Sequence, residues 1–352
     1  MPIKILVVDD SVVSRKFLSD LLAGQADLEV VGSAVNGKMA LAKVGMLDPD
    51  LVLLDVEMPV MDGIATLKEL KRTAPDIHVI MFSSHTRAGA AVTVEALTLG
   101  AADYVPKPAD LFDADSARRE VAGQLLPKIN ALFGRGVTAT APPPAPPPPL
   151  PETRFTPGRK TVDLVAIGSS TGGPNALAAI FAQLPGDLPV PIVVVQHMPA
   201  TFTPMLAERL TRQSALEVSE AAEGTRLAPG QAWIAPGGKH LVLGRRLGAV
   251  SAHLNMDPPE NSCRPAVDVL FRSVAATYRH QALAVVLTGM GEDGMRGAQE
   301  LHRHGAPVIA QDQESSVVWG MAGSVVKAGV ADAVLPLSAI AAEIVRRVRT
   351  GR

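Results

Sequence analysis

The stretch ILVVDD, residues 5–10, indicates how the first half of the chain folds. Four apolar residues in a row, without polar alternation, are typical of a strand buried on both faces of a parallel sheet. Similar runs recur at helix-length intervals, at residues 29–34, 51–54, 79–82 and 102–105. The spacing leaves room for crossover helices, so residues 1–125 are predicted to form an α/β domain with a five-stranded parallel sheet.

The same rhythm returns in the second half of the chain. Strands are predicted near residues 163–167, 191–195, 231–235, 241–243, 283–287 and 307–310. This pattern favours a second, doubly wound α/β/α domain over residues 160–350. Between the halves, residues 142–149 read PPPAPPPP, and proline lacks the N–H donor and fixes φ. Residues 126–159 are therefore predicted to be an interdomain linker, and a ligand for an SH3-like partner is the alternative use of the prolines.

Composition limits the classes of function. The 352 residues include 33 Lys and Arg against 35 Asp and Glu, a formal net charge of -2, so no global basic field favours nucleic acid. The single cysteine, Cys263, cannot form an internal disulfide, which fits a reducing cytoplasm. Carboxylates at positions 9 and 10 and the lack of a long apolar run give no sign of a signal peptide or membrane span. We expect a cytoplasmic protein that neither binds nucleic acid nor inserts into a membrane.

Charged side chains follow three predicted strands of the first half. Asp9 and Asp10 follow ILVV, Asp55 follows LVLL, and Lys107 follows DYVP. The carboxyl ends of parallel strands meet at one edge of the sheet, where open α/β proteins bind ligands. Three carboxylates there repel one another and need a cation, and an all-oxygen set suits Mg²⁺. Lys107 and the hydroxyl of Ser83 are expected to meet an anion that joins the metal.

The motifs DD, LLDVEMPVMDG, SS and KP occur in this order, and residues 1–125 resemble the receiver domain of two-component response regulators, a flavodoxin-like fold. The resemblance implies that Asp55 accepts a phosphoryl group from a histidine kinase in an Mg²⁺-dependent reaction. It also implies that the Lys107–Pro108 bond is cis. The implied roles of the site residues are as follows: Asp10, Asp55 and the backbone carbonyl of Glu57 hold Mg²⁺, Asp9 shapes the pocket, Lys107 contacts the phosphoryl group, and Ser83 and Tyr104 form a switch pair that senses it.

Three buried strands of the second half also end in residues that carry chemistry. The strand VDLVAI runs into GSSTGGP, where Gly168, Ser170 and Gly172 fit the GxSxG turn that exposes a nucleophilic serine. The strand PIVVVQHMP ends in His197, and ALAVVL leads to Asp293 in TGMGEDG. A serine, an imidazole and a carboxylate at one edge are what a base-assisted nucleophile needs. Their order along the chain, Ser–His–Asp, differs from the order Ser–Asp–His of α/β-hydrolases. The three residues therefore do not by themselves assign the chain to a common hydrolase family.

Several alternatives start from the same motifs. Ser169 is an alternative nucleophile, but it is less favoured than Ser170 because it lies off the centre of the GxSxG pattern. GSSTGG has Walker A spacing, but Pro174 and Asn175 replace the phosphate-binding lysine and hydroxyl. GMGEDG fits a dinucleotide-binding GxGxxG with Asp312 as the ribose acid, although two acids in that loop oppose a pyrophosphate. Cys263 as nucleophile lacks an accompanying histidine motif, and a small packing role is the usual fate of such a residue.

The motifs IGSSTGGPNAL, VVQHMP, IAPGGKHL, RPAVDVLF, LTGMGEDG and AQDQESSVVWGM resemble the catalytic domain of chemotaxis methylesterases, the CheB family. The resemblance implies phosphorylation-activated hydrolysis of glutamate methyl esters on chemoreceptors, deamidation of receptor glutamines, and the histidine kinase of that pathway as phosphodonor. Ser170 is then the nucleophile, His197 the general base and acid, and Asp293 the residue that orients His197. We expect the backbone amides of Thr171 and Met290 to bind the oxyanion, and no cofactor for the hydrolysis.

Two features depart from the family pattern. Cys263 precedes RPAVD where many relatives are expected to have histidine, and GMAGSV replaces a GMP pattern after Val318. Neither removes a member of the expected triad. The alternative function is a phosphorylation-dependent receptor-binding module without catalysis, whereas residues 160–352 show no basic recognition helix for DNA.

Overall fold

The computed structural model describes residues 1–84, 86–108, 114–134, 161–246 and 249–350. Contacts divide the chain into two compact units, Met1–Phe133 and Gly134–Arg352. The proline run at the centre of the expected linker lies outside the described residues. None of the helices in the described ranges is both long enough and apolar enough to cross a membrane.

The first unit is an α/β domain built on one parallel sheet. Its elements are β1 Ile3–Val8, α1 Val12–Ala23, β2 Leu28–Ala34, α2 Gly37–Leu47, β3 Leu51–Asp55, α3 Gly63–Thr73, β4 His78–Ser83, α4 Arg87–Thr98, β5 Asp103–Pro106 and α5 Ala114–Leu132. The five strands are parallel and lie in the order β2-β1-β3-β4-β5. Strands and helices alternate along the chain, which confirms the predicted five-stranded α/β fold.

The core of this unit explains why the acids lie at the edge of the sheet. Ile5 and Val7 of β1 point to one face, where they pack with Leu18 of α1 and Leu125 of α5. Immediately after β1 the chain turns into α1, and the side chain of Ser11 caps that helix by accepting from the N–H of Ser14. The residues between the strand end and this cap are therefore held at the carboxyl edge.

Helix α5 corrects the predicted domain boundary at residue 125. The helix continues to Leu132 and contains Pro127. Val121, Leu125 and Ile129, spaced by four residues, are all buried in the core of the first unit. The expectation that the whole of 126–159 is linker is thus wrong for residues 126–132, because the proline run marks the linker but not the point at which the packed helix ends.

The second unit is a larger parallel α/β domain with an added hairpin. Its elements are β6 Leu164–Ser169, α6 Gly173–Phe181, β7 Ile192–Gln196, α7 Thr203–Gln213, β8 Glu217–Glu220, β9 Gln231–Ile234, β10 His240–Arg246, β11 Ala249–Asn255, α8 Val267–Tyr278, β12 Ala282–Val286, α9 Met295–Arg303, β13 Val308–Gln311, α10 Met321–Lys327, β14 Ala333–Leu335 and α11 Leu337–Arg349. Seven strands lie in the order β14-β13-β12-β6-β7-β9-β8, and β6 pairs in parallel with β12 on one side and β7 on the other. Strands β7–β9 extend the sheet on one side of β6 and strands β12–β14 extend it on the other, and such a switch point opens a crevice at the carboxyl edge.

The strand predicted near residues 241–243 lies outside this sheet. It belongs to β10, which pairs with β11 in a separate antiparallel hairpin. The strands β8, β11 and β14 were not predicted, because β8 (EVSE) and β11 (AVSAHLN) carry polar residues and β14 (AVL) is only three residues long. The pattern of continuous apolar runs finds buried central strands but not these.

Candidate functional site

Three neighbouring strands bring Ser170, His197 and Asp293 to one edge of the second sheet. Ser170 directly follows β6, His197 directly follows β7, and Asp293 lies in the turn after β12. Backbone hydrogen bonds join these turns, since His197 N–H donates to the carbonyl of Ser169 at 3.2 Å and Ser170 N–H donates to that of Thr288 at 3.0 Å. The predicted catalytic residues are therefore neighbours in the fold, as their positions at strand ends led us to expect.

The turn that carries Ser170 requires glycine nearby. Gly172 has a φ of 78°, in the left-handed region, and α6 begins directly after it. A Cβ on Gly289, in the adjoining turn, would lie 2.9 Å from the Cβ of Ser170. Ser170 is half-buried, whereas Ser169 is fully buried and donates its hydroxyl proton to Gln196 Oε1 at 2.7 Å. This environment favours Ser170 over Ser169 as the nucleophile.

His197 and Asp293 form a short hydrogen bond. The imidazole Nε2 donates to Asp293 Oδ2 at 2.8 Å, and the exposed fractions of the two side chains are 12% and 2%. Asp293 Oδ2 also accepts from the backbone N–H of Val267 at 2.6 Å, and Oδ1 accepts from the N–H groups of Asp268 and Gly294 at 3.0 Å each. With its other lone pairs engaged, this carboxylate has a defined orientation and can fix the ring of His197.

The protonation of this pair follows from its surroundings. Burial lowers the pKa of His197, but the hydrogen bond to Asp293 and the contact with Cys263 raise it more, to about 9. Burial raises the pKa of Asp293, and the bond to His197 together with the backbone donors brings it below its usual value. Because the pKa of His197 is raised and that of Asp293 is lowered, the pair is an imidazolium beside a carboxylate at neutral pH.

The second ring nitrogen of His197 faces Cys263. The distance from Cys263 Sγ to His197 Nδ1 is 3.5 Å, and no hydrogen bond among the described residues joins His197 to the hydroxyl of Ser170. Catalytic hydrogen bonds are often long in free enzymes and tighten with substrate. No histidine motif accompanies Cys263 in the sequence, but the fold places His197, 66 residues away along the chain, beside it, so the lack of a motif does not exclude Cys263 as a nucleophile.

The two groups expected to bind the oxyanion are backbone amides of turns at this edge. Within the described parts of the chain, no hydrogen bond uses the N–H of Thr171 or that of Met290. Thr171 is buried, and 38% of Met290 is exposed. Donors without an internal acceptor beside a half-buried serine are available to a developing negative charge.

The side chain of Gln196 supports the turn that carries Ser170. Gln196 was not predicted, yet it accepts from Ser169 and donates its amide to the carbonyl of Ser170 at 2.9 Å, so it braces the serine turn. Its signal in the sequence is only its place directly before His197.

Asp312 was considered as a ribose-binding acid. Its carboxylate instead accepts from the N–H and the hydroxyl of Ser315, at 2.9 and 2.6 Å. This local turn explains the residue without a nucleotide.

The carboxyl edge of the first sheet holds the second predicted cluster. Carboxylate oxygens of Asp9, Asp10 and Asp55 lie within 4.8 Å of one another, with Asp9 and Asp55 buried and Asp10 exposed. Lys107 Nζ lies 2.9 Å from Asp9 Oδ2 and 2.8 Å from Asp55 Oδ2. If all three acids are ionised, one ammonium leaves a charge of about −2, which suits a divalent cation with hard oxygen ligands.

Burial and charge set the ionisation of this cluster. Burial raises the pKa of Asp55 to about 6, against the lowering effect of its hydrogen bond to Lys107. Burial lowers the pKa of Lys107, but the hydrogen bonds and charges of Asp55 and Asp9 leave it above the usual value. The carboxylate of Asp55 also accepts from the backbone N–H of Glu57, whose side chain is exposed. The ammonium is thus retained beside the acid that is expected to react.

The two expected switch residues are both buried. The hydroxyl of Ser83 accepts from Thr93 Oγ1 at 2.6 Å, so it faces α4. The ring of Tyr104 lies 5.0 Å from Lys128 Nζ, and burial raises the pKa of its hydroxyl well above the usual value.

The prediction that the Lys107–Pro108 bond is cis is wrong. Among peptide bonds between described residues only Arg264–Pro265 is cis. Lys107 reaches Asp9 and Asp55 without a cis bond before Pro108.

Comparison with known proteins assigns both units. Residues 165–344 match the family model of CheB methylesterase, and residues 5–116 match that of the response regulator receiver domain. The chain is 47% identical to a protein-glutamate methylesterase/protein-glutamine glutaminase of Trichodesmium erythraeum, over 98% of this chain and 99% of that one. A protein of the same name from Nocardioides sp. is 48% identical, over 99% of this chain and 96% of that one. The crystal structure of the Thermotoga maritima CheB methylesterase catalytic domain is 46% identical with a TM-score of 0.52, covering 53% of this chain and 98% of that one. The chain therefore belongs to the CheB methylesterase family and carries a response regulator receiver domain before its catalytic domain.

Proposed function

We propose that this chain is a phosphorylation-activated protein-glutamate methylesterase and protein-glutamine glutaminase that acts on methyl-accepting chemoreceptors. The observation that carries the proposal is the 2.8 Å hydrogen bond from His197 to Asp293 at the sheet edge where Ser170 directly follows β6. The names of relatives that match over nearly the whole chain support the two activities. Since those relatives are named as enzymes, a receptor-binding module without catalysis is not favoured.

In the first half of the proposed reaction, Ser170 Oγ attacks the carbonyl carbon of the glutamate methyl ester. His197 accepts the hydroxyl proton, and Asp293 stabilises the resulting imidazolium through the existing hydrogen bond. The negative oxygen of the tetrahedral intermediate accepts from the N–H groups of Thr171 and Met290. When the carbon–oxygen bond breaks, His197 returns its proton to the departing methoxide, and methanol leaves an acyl-serine.

In the second half, water replaces the alcohol. His197 removes a proton from water, the hydroxide attacks the acyl-serine, and the proton returns to Ser170 Oγ as the ester breaks. The product is the glutamate carboxylate. A glutamine substrate follows the same steps, with ammonia as the leaving group in place of methanol.

The receiver unit supplies the regulation in this proposal. Asp55 accepts a phosphoryl group from the histidine kinase of the chemotaxis pathway, and the ammonium of Lys107, 2.8 Å from Asp55 Oδ2, lies close enough to bind the transferred group. Asp10, Asp55 and the carbonyl of Glu57 are the proposed ligands of Mg²⁺, with Asp9 completing the acidic pocket beside them, and the bound ion would neutralise charge on the phosphoryl oxygens. We propose that the enzyme works in the cytoplasm, which the reliance on such a kinase and the single cysteine support.

The pH dependence of the esterase follows from the protonation of His197. Only the neutral imidazole can accept the serine proton, and contacts raise the pKa of His197 to about 9. The rate at saturating substrate is therefore expected to rise with pH and to level off above about pH 9, because the protonated form predominates below the pKa. Methanol release measured from about pH 6 to about pH 10, after subtraction of the release by a Ser170→Ala variant, tests this. A rate that is flat across this range would contradict it.

Replacement of Cys263 tests the assignment of the nucleophile. The Cys263→Ala variant is expected to keep methanol release, and the midpoint of its rising pH profile should move to lower pH, because one contact that raises the pKa of His197 is removed. The pH profile of the variant beside that of the unchanged protein measures the shift. Complete loss of activity in folded Cys263→Ala protein, with activity kept by Ser170→Ala, would assign the nucleophile to Cys263 instead.

A further inference from the structure

A tight turn ahead of α8 contacts both members of the His197–Asp293 pair. Glu260 N–H donates to the carbonyl of Cys263 at 3.1 Å, and Cys263 N–H donates back to the carbonyl of Glu260 at 2.9 Å. The residues between them, Asn261 and Ser262, have φ angles of 52° and 62°. Two successive left-handed residues in a two-residue loop form a type I′ turn, in which asparagine is favoured at the first position.

The turn is anchored to the body of the unit on two sides. The carboxylate of Glu260 accepts from both terminal nitrogens of Arg272 on α8, at 2.6 Å each. The buried ring of His240 bridges the flanking chain, since Nε2 donates to the carbonyl of Pro258 and Nδ1 accepts from the N–H of Ala266, both at 3.2 Å. A turn held in this way can place its side chains reproducibly.

The amide of Asn261 bridges two buried carboxylates. Its Nδ2 lies 2.9 Å from Asp293 Oδ1 and 3.0 Å from Asp268 Oδ2. The exposed fractions of Asp293 and Asp268 are only 2% and 1%. A primary amide carries two N–H donors and no charge, so each carboxylate receives one hydrogen bond. A cation at this place would also bind both acids, but it would compete with His197 for the charge of Asp293.

The second carboxylate makes this bridge electrostatically important. Burial raises the pKa of Asp268, and the negative charge of Asp293 raises it further, while bonds from Gly297 N–H and Asn261 oppose this. If the amide of Asn261 were absent, Asp268 would lose the donor to its Oδ2 and would face Asp293 directly. The orientation and the effective charge of Asp293 toward His197 would then change.

We propose that Asn261 is a positioning residue for the reaction: its amide holds Asp293 Oδ1, so that Oδ2 faces His197 Nε2, and it separates Asp293 from the neighbouring Asp268. Asn261 acts through Asp293 and has no contact with substrate in this account. From the same turn, Cys263 Sγ lies 3.5 Å from His197 Nδ1, so one turn reaches both ends of the catalytic imidazole–carboxylate pair. The effect on the reaction rate rests on the proposed function, whereas the effect on His197 does not.

The charged groups that surround the pair determine how a variant should titrate. His197 faces Asp293 and Cys263, and Asp293 faces Asp268 and the Glu260–Arg272 ion pair. Removing the amide leaves these charges and the backbone donors of Asp293 in place, but Asp293 and Asp268 then repel each other without a donor between them, which displaces the carboxylate of Asp293 from the imidazole. Its bond to the imidazole should weaken, and the pKa of His197 should fall.

The test uses the full chain with the variants Asn261→Ala and Asn261→Asp, and Ser262→Gly as the matched control. Asparagine and aspartate both tolerate left-handed φ, so Asn261→Asp keeps the size and backbone of the turn but replaces two donors with acceptors. Glycine suits the φ of Ser262, whose side chain has no part in the proposal. Methanol release gives kcat and KM, and NMR titration of the imidazole, assigned with a His197→Gln variant, gives the pKa of His197.

In both Asn261 variants we expect kcat on its plateau above about pH 9, where His197 is neutral in every variant, to fall by about 10²-fold, with KM changed by less than about two-fold, as for a misplaced catalytic group. In Asn261→Ala the pKa of His197 should fall, and the midpoint of the rise of the rate with pH should move to lower pH with it. Ser262→Gly should match the unchanged protein. An active Asn261→Asp, an unchanged His197 titration in Asn261→Ala, or an equal loss in Ser262→Gly would each overturn the proposal. If the unchanged protein releases no Ser170-dependent methanol, the proposed function fails, and the titration of His197 still decides the role of Asn261.

Discussion

Replacement of Ser170 by alanine is expected to abolish methanol release and to leave receptor binding intact. The hydroxyl of Ser170 is the group proposed to form the covalent bond, and removal of a serine nucleophile commonly costs more than about 10³-fold in rate. Methanol can be measured from methylated chemoreceptor membranes, and binding can be measured by co-sedimentation of the protein with the same membranes. Release of ammonia from receptor glutamines should be lost in the same variant, because both reactions use the same acyl-serine.

Ser169→Ala is the control for this experiment. Ser169 directly precedes Ser170 as the last residue of β6, but its hydroxyl is buried and donates to Gln196 Oε1 at 2.7 Å. This variant is expected to keep most of the activity once it is folded. Demethylation that persists in Ser170→Ala and disappears in folded Ser169→Ala would refute Ser170 as the nucleophile and assign that role to Ser169.

Replacement of Asp55 by asparagine is expected to remove the stimulation of methanol release by a phosphodonor and to leave the basal release unchanged. Asparagine keeps the shape of the side chain but cannot form an acyl phosphate. The incorporation of label from labelled acetyl phosphate in the presence of Mg²⁺ measures phosphorylation, and methanol release under the same conditions measures its effect. Labelled protein should lose the phosphoryl group to hydroxylamine, as acyl phosphates do.

Asp20→Asn provides the matched control in the same unit. Asp20 is an exposed acid on α1 that pairs with Lys16 at 3.2 Å, so its loss should alter neither phosphorylation nor activity. An Asp55→Asn protein that is still stimulated would move the phosphoryl acceptor elsewhere.

Much of the fold was readable from the sequence because its central strands are buried on both faces. Runs such as LVLL at 51–54 and VVV at 193–195 lack polar alternation, and each forms a strand flanked by neighbours on both sides. The edge strands β8 and β14 and the hairpin strand β11 have no such signature. The end of α5 at Leu132 was missed because its buried face, including Ile129, lies within a stretch assigned to the linker.

The candidate sites were predictable to the extent that they depend on strand ends. Topology brings Ser170 and His197 together once their strands are known to be adjacent, and the same holds for Asp9 and Asp55. The contribution of Asn261 was not predictable, because a turn 32 residues from Asp293 in sequence carries no periodic signal that connects the two. The contact of Cys263 with His197 was missed for the same reason.

The most direct test of the account is methanol release from methylated chemoreceptor membranes, with and without Mg²⁺ and acetyl phosphate. The account predicts basal release that rises when both are added, with the rise dependent on Asp55 and all release dependent on Ser170. Release that does not respond to the phosphodonor would keep the esterase and contradict its regulation by the receiver. No release under either condition, from folded protein that binds a cognate receptor, would contradict the central claim and leave a receptor-binding module.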